Sequence, residues 1–308
     1  MNKKRIVVIA GGWSKEREIS LDSGRAVYDA IDRNRYDVMM CDPLNGLERI
    51  MEGRDSIGLA FVLLHGRSGE DGSMQGFLET LGIPYVGSGV LASAMAMNKH
   101  KAKQIFRAND IKVADDILVR KDEQVTACNI FKMLGETVVT KPVTEGSSIG
   151  MSICRSEEEF DRGFEMAAGH GSEVMIESYI KGREVTCCIL GNSKLEALPI
   201  VEIAPGEGHL FFDYEAKYTS GVAAEICPAR IDEKIAEGVK KIARKAHVAL
   251  CCKVWSRTDM IIRGDDIFVL ETNTIPGMTT NSLFPLAART GGVSFPQLVE
   301  ILIELSIE

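Results

Sequence analysis

The residues best suited to chemistry lie in one short stretch near the C-terminal end. Two apolar runs, Thr258–Arg263 and Ile267–Thr272, flank the turn-forming tripeptide Gly264-Asp265-Asp266. A hairpin closed by those three residues pairs Arg263 with Ile267, Ile261 with Val269, Asp259 with Glu271, and Arg257 with Asn273. Opposed residues share a face, so Arg257, Asp259, Glu271 and Asn273 line one side while Met260, Ile262, Phe268 and Leu270 pack on the other. A two-residue turn would slip the register by one and part Asp259 from Glu271. Facing carboxylates repel by roughly 0.2–1 kcal/mol. A divalent cation converts that penalty into binding energy. Two carboxylates and an amide oxygen form an all-oxygen ligand set that suits Mg²⁺, which keeps positions open for phosphate and water. The same pattern also fits a solvated polar strip on an edge hairpin, with Arg257 merely neutralising Asp259.

Phosphate chemistry beside such a metal needs positive charge and backbone N–H donors. Lys141 ends a β-branched run over 136–141, just before Thr144-Glu145-Gly146-Ser147-Ser148-Ile149-Gly150. Glycines let the main chain approach an anion, and successive N–H groups can cradle it. The loop is not a P-loop, because GxxxxGK[ST] is absent, and Gly11-Gly12 does not complete GxGxxG. In isolation the loop also reads as an ordinary turn, and Lys99 as one of several lysines on an amphipathic helix over 98–109.

The elements that must position these groups alternate at first. Strands are expected at Arg5–Ala10, Tyr36–Cys41 and Leu59–Leu64, with helices over 18–31 and 73–81, which describes an open α/β sheet. Functional loops belong at the carboxyl ends of such strands, and His65 falls at one. Beyond Gly89 the expected strands are 136–141, 174–179, 185–190 and 197–201, with helices over 156–168 and 231–250. Three domains follow as the most economical division: 1–96, 97–182 and 183–308. The 308 residues carry 36 Lys plus Arg against 44 Asp plus Glu, a formal charge of −8, which argues against a dedicated nucleic-acid binder. No apolar run approaches the ~18–20 residues of a membrane span, and the basic N-terminus lacks a signal-peptide core. The eight cysteines have no zinc-ligand spacing and read as reduced thiols of a cytoplasmic protein.

Taken in order, the motifs resemble one family. They are Gly11-Gly12-Trp13-Ser14-Lys15-Glu16-Arg17-Glu18-Ile19-Ser20, then His65-Gly66-Arg67-Ser68-Gly69-Glu70-Asp71-Gly72 with Gln75-Gly76, then Lys141-Pro142 before the glycine loop. Asp213-Tyr214-Glu215-Ala216-Lys217-Tyr218 follows, and Glu271-Thr272-Asn273-Thr274-Ile275-Pro276-Gly277-Met278-Thr279 runs on to Ser282. The set is similar to that of the D-alanine–D-alanine ligases of the ATP-grasp superfamily. The resemblance implies an α/β (α+β ATP-grasp) fold, in which an N-terminal open parallel α/β sheet domain is followed by two ATP-grasp domains. It implies ATP and two Mg²⁺ ions (Mn²⁺ serving in their place), a monovalent cation, and a homodimer acting in cell-wall precursor synthesis.

Carried over residue by residue, the resemblance puts Lys99 and Lys141 on the nucleotide phosphates. Glu177, Tyr179 and Ile180 line the adenine region, and Glu184 takes the ribose. Asp259, Glu271 and Asn273 hold the metals, while Arg257 and the N–H of Gly277 stabilise the oxyanion. Glu16, linked to Ser147 and Tyr218, binds the first D-alanine's ammonium, and His65 borders that substrate. Ser282 anchors the second carboxylate, and Lys217 lies on a loop closing over the site. Trp13, Ser256 and Thr258 depart from the family's usual residues. Two other readings stay open at this point. One is an ATP-grasp ligase with a different second substrate such as D-serine or D-lactate, and the other is a nucleotide-binding regulatory protein without catalysis.

Overall fold

The computed structural model describes residues 3–205 and 223–307. Its first unit is a parallel sheet in the order β2-β1-β3, from β1 (Lys4–Ile9), β2 (Tyr36–Cys41) and β3 (Ile57–Val62). Ile6, Val7, Val8 and Ile9 have no exposed surface. A β-branched run of this kind suits a strand covered on both faces. The helices here are α1 (Arg17–Ala30), α2 (Leu47–Gly53), α3 (Ser73–Leu81) and α4 (Val90–Met97). Beyond β1 the chain turns at Gly11, whose φ of 99° is left-handed and where a Cβ would lie 2.7 Å from Asp42. Ser20 of α1 then stitches two strand ends together, accepting from the Gly11 N–H at 2.8 Å and donating to the Leu63 carbonyl at 2.6 Å.

The second unit begins with α5 (Lys99–Ala108), capped by the Asn98 side chain. An antiparallel sheet follows in the order β4-β7-β5-β6, from β4 (Asp116–Arg120), β5 (Val138–Pro142), β6 (Ser152–Cys154) and β7 (Glu173–Ser178). Helices α6 (Ala127–Leu134) and α7 (Glu157–Ala168) close its core with Ile130 and Phe160. Ser156 caps α7 by accepting from the Glu159 N–H, and Glu157, Glu158 and Glu159 complement the helix dipole.

The third unit is an antiparallel sheet ordered β11-β10-β8-β12-β13. Its strands are β8 (Arg183–Leu190), β10 (Val201–Pro205), β11 (Ala223–Ile226), β12 (Trp255–Arg263) and β13 (Asp266–Asn273), with β9 (Glu196–Ala197) paired to β8. The strand expected over 197–201 is split, because Leu198-Pro199-Ile200 lies between β9 and β10 and proline cannot donate to a ladder. Alternation sends adjacent Cys187 and Cys188 into different cores. Cys187 joins the core beneath α5 and α8 (Glu233–Ala249), and Cys188 the core shared with the N-terminal sheet. Trp255 has no exposed surface and packs edge-on against Phe61 of β3 and Phe284. Phe284 belongs to α9 (Leu283–Thr290), and α10 (Phe295–Ile307) returns to α1 and to the start of β2, where Tyr36 donates to Glu300 at 2.8 Å. The C-terminal helices thus help to build the N-terminal core.

His247 of α8 is 1% exposed; its Nδ1 lies 2.8 Å from Ser256 Oγ, and its Nε2 has no partner among the described residues. Burial pushes its pKa down to about 4. The unfolded chain, with an ordinary imidazole near 6.5, binds that proton more readily, so folding stability falls as pH drops from about 6.5 to about 4. We expect roughly 3 kcal/mol of this loss to disappear in His247→Phe, read as the difference between the two proteins' urea-unfolding free energies across that window. Identical pH dependence in both proteins would refute the assignment.

Candidate active site

The hairpin brings Asp259 and Glu271 directly opposite, and Arg257 opposite Asn273, by a route other than the expected one. Arg263 pairs with Asp266, so the turn is two residues, Gly264-Asp265, and Ile261 faces Phe268. That register alone would misplace Glu271. A β-bulge between Asp259 and Met260 absorbs Leu270 and restores the opposition. The packing face is therefore Met260, Ile262, Ile267 and Val269, which sit in the core with α8. Phe268 and Leu270 do not belong to it. Phe268 faces Ile261, with the Arg263 guanidinium stacked on its ring, and Leu270 lines a cavity with Asp259, Ile261 and Glu271.

The strip is neither solvated nor at an edge on the Asp259 side, since β12 runs between β8 and β13 and Asp259 is 7% exposed. Asp259 Oδ1 accepts from Thr186 Oγ1 at 2.5 Å and Arg257 Nε at 3.0 Å, and Oδ2 accepts from Arg257 Nη2 at 2.8 Å. This forked pair keeps Arg257 charged despite its burial. On the other strand, Lys99 Nζ lies 3.1 Å from Glu271 Oε2 and donates to the Glu145 carbonyl at 2.7 Å. Asn273 Oδ1 accepts from the Ile275 N–H, which fixes the chain as it leaves β13. Among the described residues no group of three or more His, Cys, Asp or Glu gathers around one point. A donor set of two carboxylates and an amide fits a hard cation that completes its shell with phosphate and water.

This face opens on a cavity of about 900 Å³ that also receives Glu16, His65, Ser147, Gly277 and Ser282. They come from four segments, Gly277 and Ser282 sharing the connection between β13 and α9. Glu16 precedes α1, is 8% exposed, and accepts from the hydroxyl of Ser147, which joins the first loop to the glycine loop 131 residues away. Ser147 and Ser148 hold φ of 49° and 57°. Consecutive non-glycine residues in that region are strained, as is common where a backbone must meet a ligand. His65 follows β3, with Nε2 3.5 Å from Ser23 Oγ, and Ser23 in turn accepts from the Met278 N–H beside Gly277. Ser282 occupies the position just before α9, and its Oγ turns back to accept from the Thr279 N–H at 3.0 Å. The helix N-terminus and its N–H groups suit a carboxylate.

A smaller adjoining cavity of about 120 Å³ is lined by Lys141, Glu177, Tyr179, Ile180 and Glu184, and shares Lys99, Asp259 and Glu271 with the first. Glu184 reaches both cavities. Every expected site residue within the described chain lines one cavity or the other; Lys217 and Tyr218 lie outside the described residues. The Glu177 carboxylate is gripped by two lysines, Lys141 at 2.5 Å and Lys103 at 2.6 Å. Lys103 was not expected. Its signal was its place one helical turn after Lys99 on α5, a spacing that presents both side chains on one face.

A family model described as D-ala D-ala ligase N-terminus matches residues 5–48 and 42–88, and one described as D-ala D-ala ligase C-terminus matches 105–304. The chain belongs to the D-alanine–D-alanine ligase family. It is 49% identical over 306 residues to the D-alanine–D-alanine ligase of Syntrophobacter fumaroxidans, covering 99% of this chain and 98% of that one. Among solved structures it is similar to the D-alanine–D-alanine ligase of Bacillus anthracis, with TM-score 0.88 and 37% identity over 99% and 97% of the two chains. The complex of that ligase with ATP gives 0.85 and 34%, with the same coverage. The VanG D-Ala:D-Ser ligase of Enterococcus faecalis gives 0.86 and 32%, over 99% and 100%.

Two of the family's unusual positions prove to be paired. Ser256 meets His247, and Thr258 Oγ1 lies 3.0 Å from Thr272 Oγ1 beneath the carboxylate face. Thr258→Val should strand the buried Thr272 hydroxyl and lower stability by about 1–3 kcal/mol. Thr258→Val/Thr272→Val should recover most of that loss in denaturant unfolding, and additive losses would show that the hydroxyls do not depend on each other.

Proposed function

We propose that the chain joins two D-alanine molecules at the expense of ATP, by phosphorylating the first carboxylate and letting the second amine displace phosphate. The observation that carries this reading is the opposed Asp259–Glu271 pair, set where the lysine-lined cavity meets the larger one. Activation is required because a free carboxylate has no adequate leaving group. On the nucleotide side, Tyr179 and Ile180 flank the adenine with Glu177, Glu184 receives the ribose, and Lys99 and Lys141 meet the phosphates. Asp259, Glu271 and Asn273 would hold two Mg²⁺ ions, which neutralise phosphate charge and align the reacting oxygens when bound.

On the substrate side, the Glu16 carboxylate, oriented by Ser147, takes the first ammonium, with His65 beside it. Arg257 and the Gly277 N–H supply fixed donors where the oxyanion develops, a task in which preorganised donors are worth most. Ser282 and the start of α9 hold the second carboxylate. Tyr218 and Lys217 belong to this reading through the motif around them. The divisions 1–96, 97–182 and 183–308 would act as the substrate, central and catalytic domains of a cytoplasmic homodimer. Among the described residues no helix is long and apolar enough to cross a membrane.

A D-serine-using ligase shares the fold, so the second substrate has to be tested directly. The assay is phosphate release from Mg-ATP with D-alanine, L-alanine, D-alanine plus D-lactate, or D-alanine plus D-serine, with products identified by mass. D-alanine alone should suffice and give D-alanyl-D-alanine. Turnover only with a mixed pair would move the second-substrate assignment, and ATP binding without turnover would favour a regulatory protein. In the same assay, Glu16→Gln should raise the KM of the first D-alanine at least about 10-fold, equivalent to about 1.4 kcal/mol, with the ATP KM nearly unchanged. Equal shifts in both constants would remove Glu16 from the substrate site.

A further inference from the structure

The buried charges behind Lys141 form a second opposed carboxylate pair. Asp116 of β4 and Glu177 of β7 are direct cross-strand partners; the Asp116 side chain is sealed from solvent and that of Glu177 is 6% exposed, where it borders the smaller cavity. Lys103 of α5 fills the space between them, its Nζ 2.6 Å from Glu177 Oε2 and 3.4 Å from Asp116 Oδ1, with the residue 1% exposed. Asp116 is itself tied down, by His100 Nδ1 at 2.8 Å and by Arg107. Glu177 Oε1 takes Lys141. One carboxylate thus carries two ammonium groups, one on each oxygen.

The two lysines are not equivalent. Lys141 lines the smaller cavity, whereas Lys103 is among the described residues that line neither cavity. A phosphate entering that cavity competes with Glu177 for Lys141, drawing the ammonium and its charge away from the carboxylate. Stripping a buried carboxylate of its only cation is strongly unfavourable, whereas one that keeps a second cation stays compensated. We propose that Lys103 is a positioning residue of the nucleotide site: by remaining on Glu177 it frees Lys141 to transfer to the nucleotide phosphates. Asp116, itself fixed by His100 and Arg107, keeps Lys103 from following. The titration directions agree. Burial would raise the Glu177 carboxyl, but Lys141 and Lys103 together hold it below the usual range. Burial lowers the Lys141 ammonium, and Lys103 pushes it the same way against Glu177.

The inference rests on Lys141 being a phosphate contact, so Lys141→Met is the control for that reading. Binding of a non-hydrolysable ATP analogue and steady-state KM values are measured for Lys141→Met, Lys103→Met, Lys103→Arg, Glu177→Gln and Lys103→Met/Glu177→Gln. Lys103→Met should weaken ATP-analogue binding 10- to 100-fold, with the D-alanine KM within 2-fold, and Lys103→Arg should recover most of the loss. With Glu177 neutral there is no carboxylate left to compensate, so the same substitution should then cost less than 3-fold. An equal loss in both backgrounds, an equal loss for both substrates, or no loss at all would overturn the proposal. If Lys103→Met does not fold, Asp116→Asn takes its place, with an expected 3- to 10-fold weakening that vanishes beside Glu177→Gln; an unchanged affinity would be equally fatal. Unaltered ATP-analogue binding in Lys141→Met would instead sink the nucleotide reading itself.

Discussion

Everything in this site depends on holding like charges against each other where water is scarce. Asp259 and Glu271 face each other across one strand pair, with Asp259 nearly sealed. Such a pair persists only while cations stand beside it, and the described residues include Arg257 on Asp259 and Lys99 on Glu271. The two are placed differently. Arg257 sits two residues from its partner on the same strand and is forked onto it, as suits a donor kept near a developing oxyanion. Lys99 reaches over from α5, so a ligand cation can replace it without disturbing the sheet.

The same helix repeats the arrangement one turn on. Lys99 and Lys103 lie four residues apart, Lys99 against Glu271 of one opposed carboxylate pair and Lys103 between the two members of the other, in a different sheet. The central and C-terminal sheets are thereby referenced to one rigid element. The third reference is the Glu16–Ser147 bond, which ties the first loop of the N-terminal sheet to the strained glycine loop. Trp255, edge-on to Phe61 and Phe284, supplies the apolar counterpart by joining β12 to the N-terminal core.

Much of this was legible in the residues, although not always for the reason first apparent. The opposition of Asp259 and Glu271 is what alternation from a three-residue turn predicts, yet it is reached through a two-residue turn and a bulge at Leu270. A bulge leaves no composition signal, because it depends on the packing of Val269 and Ile267 under α8. Phe268 and Leu270 were consequently assigned to the wrong face. The parallel sheet was readable from its β-branched runs. Helices α4, α6, α9 and α10 and strand β4 were not assigned, because their boundaries are set by what they pack against: α10, for instance, lies on α1 nearly the whole chain away. Missing β4 also hid Asp116, and with it the role of Lys103. The departures at Ser256 and Thr258 became intelligible only once His247 and Thr272 were found beside them.

The central claim is that the opposed carboxylates are a metal face rather than a self-neutralised strip. It is tested most directly by titrating Mn²⁺ into the protein with a non-hydrolysable ATP analogue and counting bound ions by electron paramagnetic resonance. The account predicts two ions per chain, with at least one lost in Asp259→Asn and in Glu271→Gln while the analogue still binds. The same count in the wild-type protein and both variants would show that the metal rides on the nucleotide alone and would contradict the account.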